Sequence, residues 1–236
     1  MVPILTFINK LISKGTTLCC ILLLLISGYT VYDNLYVYNN AIENKMIAFK
    51  PEKEVVKIEK KITDKQVAWL TVEGTGVDFP IMQGDDNFEF LNTDPYGEFS
   101  MGGSIYLDCH NKKDFSDGYN LLYGHHMSGG AMFGCLDRFA DEKYFNEHKE
   151  GVLITEEGRF EYNLFAVAYA DALDTELFSL TRTTRSKALS KLKECSLIYT
   201  EDPAAELSLL AMSTCAGEKE TSRLMVFGTL TPVLGG

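Results

Sequence analysis

Hydrophobic and polar residues are distributed in two distinct regimes along this chain. From Thr16 to Val31 the sequence is Thr-Thr-Leu-Cys-Cys-Ile-Leu-Leu-Leu-Leu-Ile-Ser-Gly-Tyr-Thr-Val, without a charge. Continued to Val37 it reaches the roughly 20 residues that a membrane helix needs, with Asp33 and Asn34 marking its outer edge. Residues 16–37 are therefore predicted to form a transmembrane anchor. Before it, Val2, Ile4, Leu5, Phe7, Ile8, Leu11 and Ile12 recur at amphipathic spacing, so 1–15 reads as a cytoplasmic or interfacial segment. Lys10 and Lys14 flank the span and no acidic residue occurs between Met1 and Val31. The positive flank predicts a single pass with the N-terminus inside and everything after about residue 38 outside. A cleaved signal peptide, cut after Gly28, is the rival reading, but the A-x-A pattern is absent. A lipoprotein reading of Cys19 or Cys20 fails because the apolar run follows those cysteines.

Residues 38–62 are rich in Glu, Lys and Ala and lack Gly, which predicts a helical stalk interrupted near Pro51. Ile42, Met46, Ile47, Val55, Val56 and Ile58 are expected to dock it on the domain behind. From Val67 the period shortens. Strands are predicted over 67–73, 78–83, 103–109, 119–125, 151–155, 159–170, 206–214 and 223–231, with turns at Glu73-Gly-Thr-Gly, Glu157-Gly158 and Ala216-Gly-Glu-Lys-Glu. Helices are predicted at 85–92, 131–148 and, most clearly, 183–199, where Leu189, Leu192, Cys195, Ile198 and Tyr199 fall at helical spacing. The reading is mostly β: a closed eight-stranded barrel with inserted helices, spanning 63–236 as one extracellular domain.

Composition narrows the partners. A formal net charge of −11 argues against nucleic acid, which requires a basic face. Four of the six cysteines, Cys109, Cys135, Cys195 and Cys215, lie in the outer domain at spacings that suggest neither a disulfide framework nor a zinc site. Mostly free thiols are expected, one of them reactive.

Three residues end three separate predicted strands. Cys215 closes Glu206-Leu-Ser-Leu-Leu-Ala-Met-Ser-Thr-Cys, Arg223 opens the next run, and His125 closes Tyr119-Asn-Leu-Leu-Tyr-Gly-His. A thiol, an imidazole and a fixed cation meeting at one rim would support attack on a carbonyl with the developing oxyanion stabilised. Papain-like enzymes place Cys before His and use Asn or Asp as the third group, unlike this order. Taken singly, Cys215 reads more simply as a small buried residue. Ser213 and Thr214 precede the nucleophile and are candidates for lining a substrate groove. His126 is the alternative imidazole. Asp108 is a candidate orienting group, with a solvated loop carboxylate as the plainer reading. Trp69, Cys109 and Cys135 read as core, and His110 and His148 as surface.

Ser213-Thr214-Cys215 with Arg223 eight residues on, together with Tyr123-Gly124-His125, resembles the sortases, membrane-anchored transpeptidases of Gram-positive bacteria. Ala68-Trp-Leu-Thr-Val-Glu-Gly-Thr, Asp78-Phe-Pro-Ile-Met-Gln-Gly-Asp-Asp-Asn, Gly103-Ser-Ile-Tyr-Leu-Asp and Gly130-Ala-Met-Phe-Gly-Cys-Leu resemble class B in particular. The likeness runs from about Lys65 to Leu230. The resemblance implies a cysteine transpeptidase that cleaves a C-terminal sorting motif after Thr and passes the acyl group to an amine, either a pilin lysine or a peptidoglycan cross-bridge. It implies catalytic roles for His125, Cys215 and Arg223, and no metal or organic cofactor. The doubled His125-His126 is similar to class B enzymes that polymerise pilins; other members anchor haem-uptake proteins to the wall. An L,D-transpeptidase would need a Ser-His-Gly-Cys neighbourhood that is missing here. A non-catalytic anchored assembly protein is the remaining alternative.

Overall fold

Leucine and isoleucine without interruption by charge leave a helix as the one local structure that satisfies its own backbone in lipid. The computed structural model describes residues 2–41, 46, 48–52, 55–217 and 220–233. It divides into two units, Met1–Asn40 and Ala41–Gly236. The first unit lies in one helix, α1 (Val2–Ala41), which runs without a break through the segments predicted as interfacial and spanning. Within it Asn9–Asp33 is long and apolar enough to cross a membrane; 25 residues rise about 37 Å, against a hydrocarbon core of about 30 Å. The hydroxyls of Thr16, Thr17 and Thr30 each donate to the carbonyl four residues earlier at 2.9 Å, which keeps their polarity inside the helix.

Of the expected stalk helix, the described residues up to Ala41 and Met46 are helical. Residues 48–52 and 55–62 carry no helix; β-branched Val55, Val56, Ile58 and Ile62 favour an extended path, and Ile58 N–H donates to the Thr155 carbonyl at 2.8 Å. Ile58 is buried with Trp69 and Ile154, and Met46 packs against them, while Val56 is exposed. Ile42 and Ile47 lie outside the described residues. Trp69 is core as expected, its indole N–H donating to Asp78 Oδ1 at 2.9 Å.

The second unit contains β1 (Gln66–Val72), β2 (Asp78–Met82), β3 (Ile105–Leu107), β4 (Tyr119–Tyr123), β5 (Glu150–Thr155), β6 (Arg159–Asp171), β7 (Ser196–Tyr199), β8 (Ser208–Cys215) and β9 (Ser222–Pro232). Eight of them close a ring in the order β5-β1-β2-β3-β4-β8-β9-β6 and back to β5. The pairings β2–β3 and β4–β8 are parallel, making a mixed barrel. All eight predicted strands are present. The ninth, β7, occupies the edge of β6 beyond β5. It takes residues predicted to end a helix: α4 (Arg185–Cys195), capped by Thr184, stops four residues early, and Ser196, Ile198 and Tyr199 pair with β6 across a bulge at Leu197. The helix predicted at 85–92 is reduced to one 3-10 turn, Glu89–Leu91. The one at 131–148 divides into a 3-10 segment, Phe133–Ala140, and α2 (Glu142–Glu147), which starts at Asp141 accepting from Tyr144 N–H.

Strand alternation separates two apolar layers. Leu122, Leu210, Met212, Leu224 and Val226 belong to the main core enclosed by the barrel. Their neighbours Tyr119, Leu121, Leu209, Ala211, Met225 and Phe227 face outward into a second core, under Leu177 of α3 (Thr175–Phe178) and Ala188 and Leu192 of α4. Arg185 fixes α4 from its first turn by donating to the carbonyls of Leu207, Pro203 and Ala204. The insertion between β6 and β8 therefore roofs one outer face of the barrel.

Candidate active site

That roofed face carries the predicted residues. Ala211, Ser213 and Cys215 alternate outward along β8; parallel β4 lies on one side with Tyr123 opposite Ser213, and antiparallel β9 on the other with Arg223 opposite Cys215. His125 follows β4 by two residues. His125, Ser213, Thr214, Cys215 and Arg223 line one cavity of about 360 Å³ together with Asn87, Phe88, Leu91, Tyr106, Tyr123, Gly124, Ala172 and Phe178. All five sequence-predicted site residues are thus brought together.

The backbone explains how. Gly124 N–H donates to the Ser213 carbonyl at 3.2 Å, and Thr214 Oγ1 donates to the Gly124 carbonyl at 2.9 Å, locking the Tyr-Gly-His turn onto the cysteine strand. Thr214 faces the barrel side of β8, so it ties the two strands together. His125 Nε2 lies 2.7 Å from the Leu91 carbonyl. A carbonyl only accepts, so Nε2 carries a proton and Nδ1 is left for proton exchange. Arg223 donates through Nη1 to the carbonyls of Glu220 (2.6 Å) and Ser222 (2.9 Å). Among the described residues no carboxylate neutralises it, and its remaining donors stay available. Cys215 is exposed, whereas Ser213 is buried with its hydroxyl lacking any partner. A buried hydroxyl in a cavity wall without a partner is costly unless a ligand supplies one.

His126 turns elsewhere, 2.7 Å from Asp137 Oδ2, and is not part of the cavity wall. Asp108 is buried rather than solvated, which corrects the plainer reading. Its Oδ2 accepts from Asn87 Nδ2 (2.8 Å) and the Tyr123 hydroxyl (3.0 Å), and its Oδ1 accepts from His110 N–H (2.9 Å). Two cavity residues are therefore held from behind by one carboxylate. Cys135 is buried as predicted, and burial pushes its thiol up to about 12; Cys109 is half-buried, opening on a separate cavity, rather than core. His110 is exposed, and His148 stacks on Tyr144.

Sequence reasoning missed Asn87, Phe88, Leu91, Tyr106, Tyr123, Ala172 and Phe178. Asn87 and Tyr106 stand inside the quoted class B segments, so a signal existed; Leu91 acts through its carbonyl, for which side-chain patterns carry none. The helix predicted at 183–199 does not line the cavity. From the insertion, Ala172 and Phe178 reach the cavity, while α4 packs with Leu177 in the second core.

Comparison with known proteins agrees with this geometry. A model of the sortase domain matches residues 70–231. Sortase B of Listeria monocytogenes is 26% identical over 242 residues, covering 94% of this chain and 98% of its own. The crystal structure of a Streptococcus pyogenes class B sortase involved in pilus biogenesis superposes with a TM-score of 0.66 at 38% identity, over 72% of this chain and 94% of that one. Clostridium perfringens sortase B gives a TM-score of 0.65 at 29% identity, over 72% and 96%. The barrel, its helical roof and the Cys-His-Arg cavity together place the chain in the sortase family, among the class B cysteine transpeptidases.

Proposed function

We propose that the chain cleaves a C-terminal sorting motif of a surface protein after Thr and transfers the acyl group from Cys215 to an amine. The convergence of His125, Cys215 and Arg223 in one cavity under an apolar roof is the observation that carries this reading. The Cys215 sulfur attacks the Thr carbonyl carbon, and the guanidinium of Arg223, charged at every relevant pH, faces the oxyanion that forms. Collapse breaks the C–N bond, and the leaving amine takes its proton from His125. The resulting thioester is then attacked by the acceptor amine, with His125 receiving that amine's proton. Ser213 offers its unpartnered hydroxyl to the bound peptide, and Thr214 holds the nucleophile strand against the His125 turn.

A pilin lysine is the acceptor this reading favours, supported by the 38% identity to the pilus-associated S. pyogenes enzyme and by the His125-His126 pair. The apolar helix anchors the chain in the cell membrane by a single pass, with Lys10 and Lys14 on the cytoplasmic side and the barrel outside. The test is product analysis. Full chain in detergent, a panel of Thr-containing sorting-motif peptides and an amine donor are expected to yield peptide cut after Thr and joined to the amine. Cleavage at another bond, or hydrolysis without amide product at saturating amine, would contradict it.

A further inference from the structure

The catalytic cavity contains one hydroxyl that neither the fold nor the proposed chemistry uses. Tyr106 lies at the centre of β3 between Ile105 and Leu107, which face the barrel interior, so its own ring is on the outer face with Met82, Phe90 and Tyr123. The ring packs on Tyr123 with centroids 5.4 Å apart and is 6% exposed. Its two polar neighbours in the cavity wall are satisfied within the protein, since Asn87 and Tyr123 both donate to Asp108. The Tyr106 hydroxyl, among the described residues, makes no hydrogen bond. Burial and the Asp108 charge push this phenol up to about 12, so it remains a donor at any working pH. It shares the cavity wall with Cys215 and Arg223.

Register gives its distance from the reacting centre. Tyr106, Tyr123 and Ser213 form one row across adjacent β3, β4 and β8. Two strand spacings of about 4.8 Å put Tyr106 roughly 10 Å across the sheet from the nucleophile strand, and an extended peptide advances about 3.3 Å per residue. Cys215 stands two residues, about 7 Å, beyond Ser213 on β8, so a peptide acylating it and lying across the strands passes Tyr106 about three to four residues from its reacting carbonyl.

We propose that Tyr106 is a specificity-determining residue, whose O–H donates to a side-chain carbonyl or carboxylate oxygen of the bound peptide about three to four residues from the reacting carbonyl. A cavity-facing donor without a protein partner, once a bound peptide strips it of water, rejects analogues that lack the acceptor more strongly than an apolar wall rejects a change of size. The inference rests on the acyl-transfer reading of the cavity.

The test uses full chain in detergent and peptides of constant length in which Gln or its near-isostere Met is placed in turn two, three or four residues from the Thr carbonyl. Acylation kcat/KM is read by intact mass for the native chain and for Tyr106→Phe. The native chain is expected to favour Gln at one position by about tenfold or more, and Tyr106→Phe to bring that Gln-to-Met ratio towards one. A ratio unchanged in Tyr106→Phe, or an equal slowing with both peptides, overturns the proposal. The same peptides are titrated calorimetrically into Cys215→Ala with and without Tyr106→Phe. Tyr106-dependent discrimination in binding without any acylation of the native chain would overturn the acyl-transfer reading and leave Tyr106 its role. Absence of both overturns both.

Discussion

Gly124 shows how closely the site depends on single atoms. A Cβ there would lie 2.4 Å from Ile105 Cδ1 and 2.7 Å from Phe133 Cδ2, so no side chain fits between β4 and the 3-10 segment behind it. Gly124→Ala is expected to cost about 1–3 kcal/mol from overpacking. Because His125 is the next residue, the shift of its backbone should also slow acylation by about tenfold or more. Thermal unfolding and acylation rate check this together; a variant unchanged in both would contradict the packing. The cysteines provide a second test. In native protein at pH 8 a thiol reagent is expected to modify exposed Cys215 and to spare Cys135, whose burial disfavours its thiolate, until denaturant is added. Peptide mapping that found Cys135 modified first would contradict that placement. At this scale the sequence was a good guide to where Cys215, His125 and Arg223 lie, because each stands at or just beyond a strand end on one rim. It was a poor guide to Asp108, whose burial depends on Asn87 and Tyr123 arriving from elsewhere, and to Leu91, which contributes only a carbonyl.

Elements were legible where a period was clean. Each of the eight barrel strands has alternation or an unbroken apolar run, and each is present within a few residues of its expected bounds. Over 196–199 apolar spacing fits a helix, but β-branched and aromatic residues beside the open edge of β6 gain more from pairing, while 55–62 runs as irregular chain tied to the barrel by Ile58 N–H to the Thr155 carbonyl. The cavity wall is built by the less conspicuous element: α4 has the clear pattern, yet the four-residue α3 and the turn before it place Phe178 and Ala172 at the cavity. Phe178→Ala should therefore let water reach the thioester and raise the ratio of hydrolysis to amide product, measured by chromatography at fixed amine. Substitution at the exposed Lys187 of α4 should leave that ratio where it is. Equal ratios in native chain and Phe178→Ala would contradict a water-excluding roof.

For the molecule as a whole, the buried tyrosines set a limit at high pH. Burial raises the phenols of Tyr106, Tyr119, Tyr123 and Tyr162 above their ordinary value. Unfolded phenols ionise near 10, so above that pH the unfolded chain binds fewer protons than the folded one and stability falls as pH rises. Below about pH 9 these groups are neutral in both states and contribute no slope. Tm is expected to be insensitive to this term up to that point and to fall between about pH 10 and 12. Tyr162→Phe, which removes a phenol donating to the Leu210 carbonyl, should flatten part of the fall relative to native chain. An identical alkaline slope in the two would contradict the burial of this phenol.

The most direct test of the central claim is the intact mass of the chain after brief exposure to sorting-motif peptides without added amine. A mass increase equal to the peptide up to and including Thr, discharged by amine and absent in Cys215→Ala, is the predicted result. An adduct that persists in Cys215→Ala, or one carrying residues beyond Thr, would contradict acyl transfer through this cysteine.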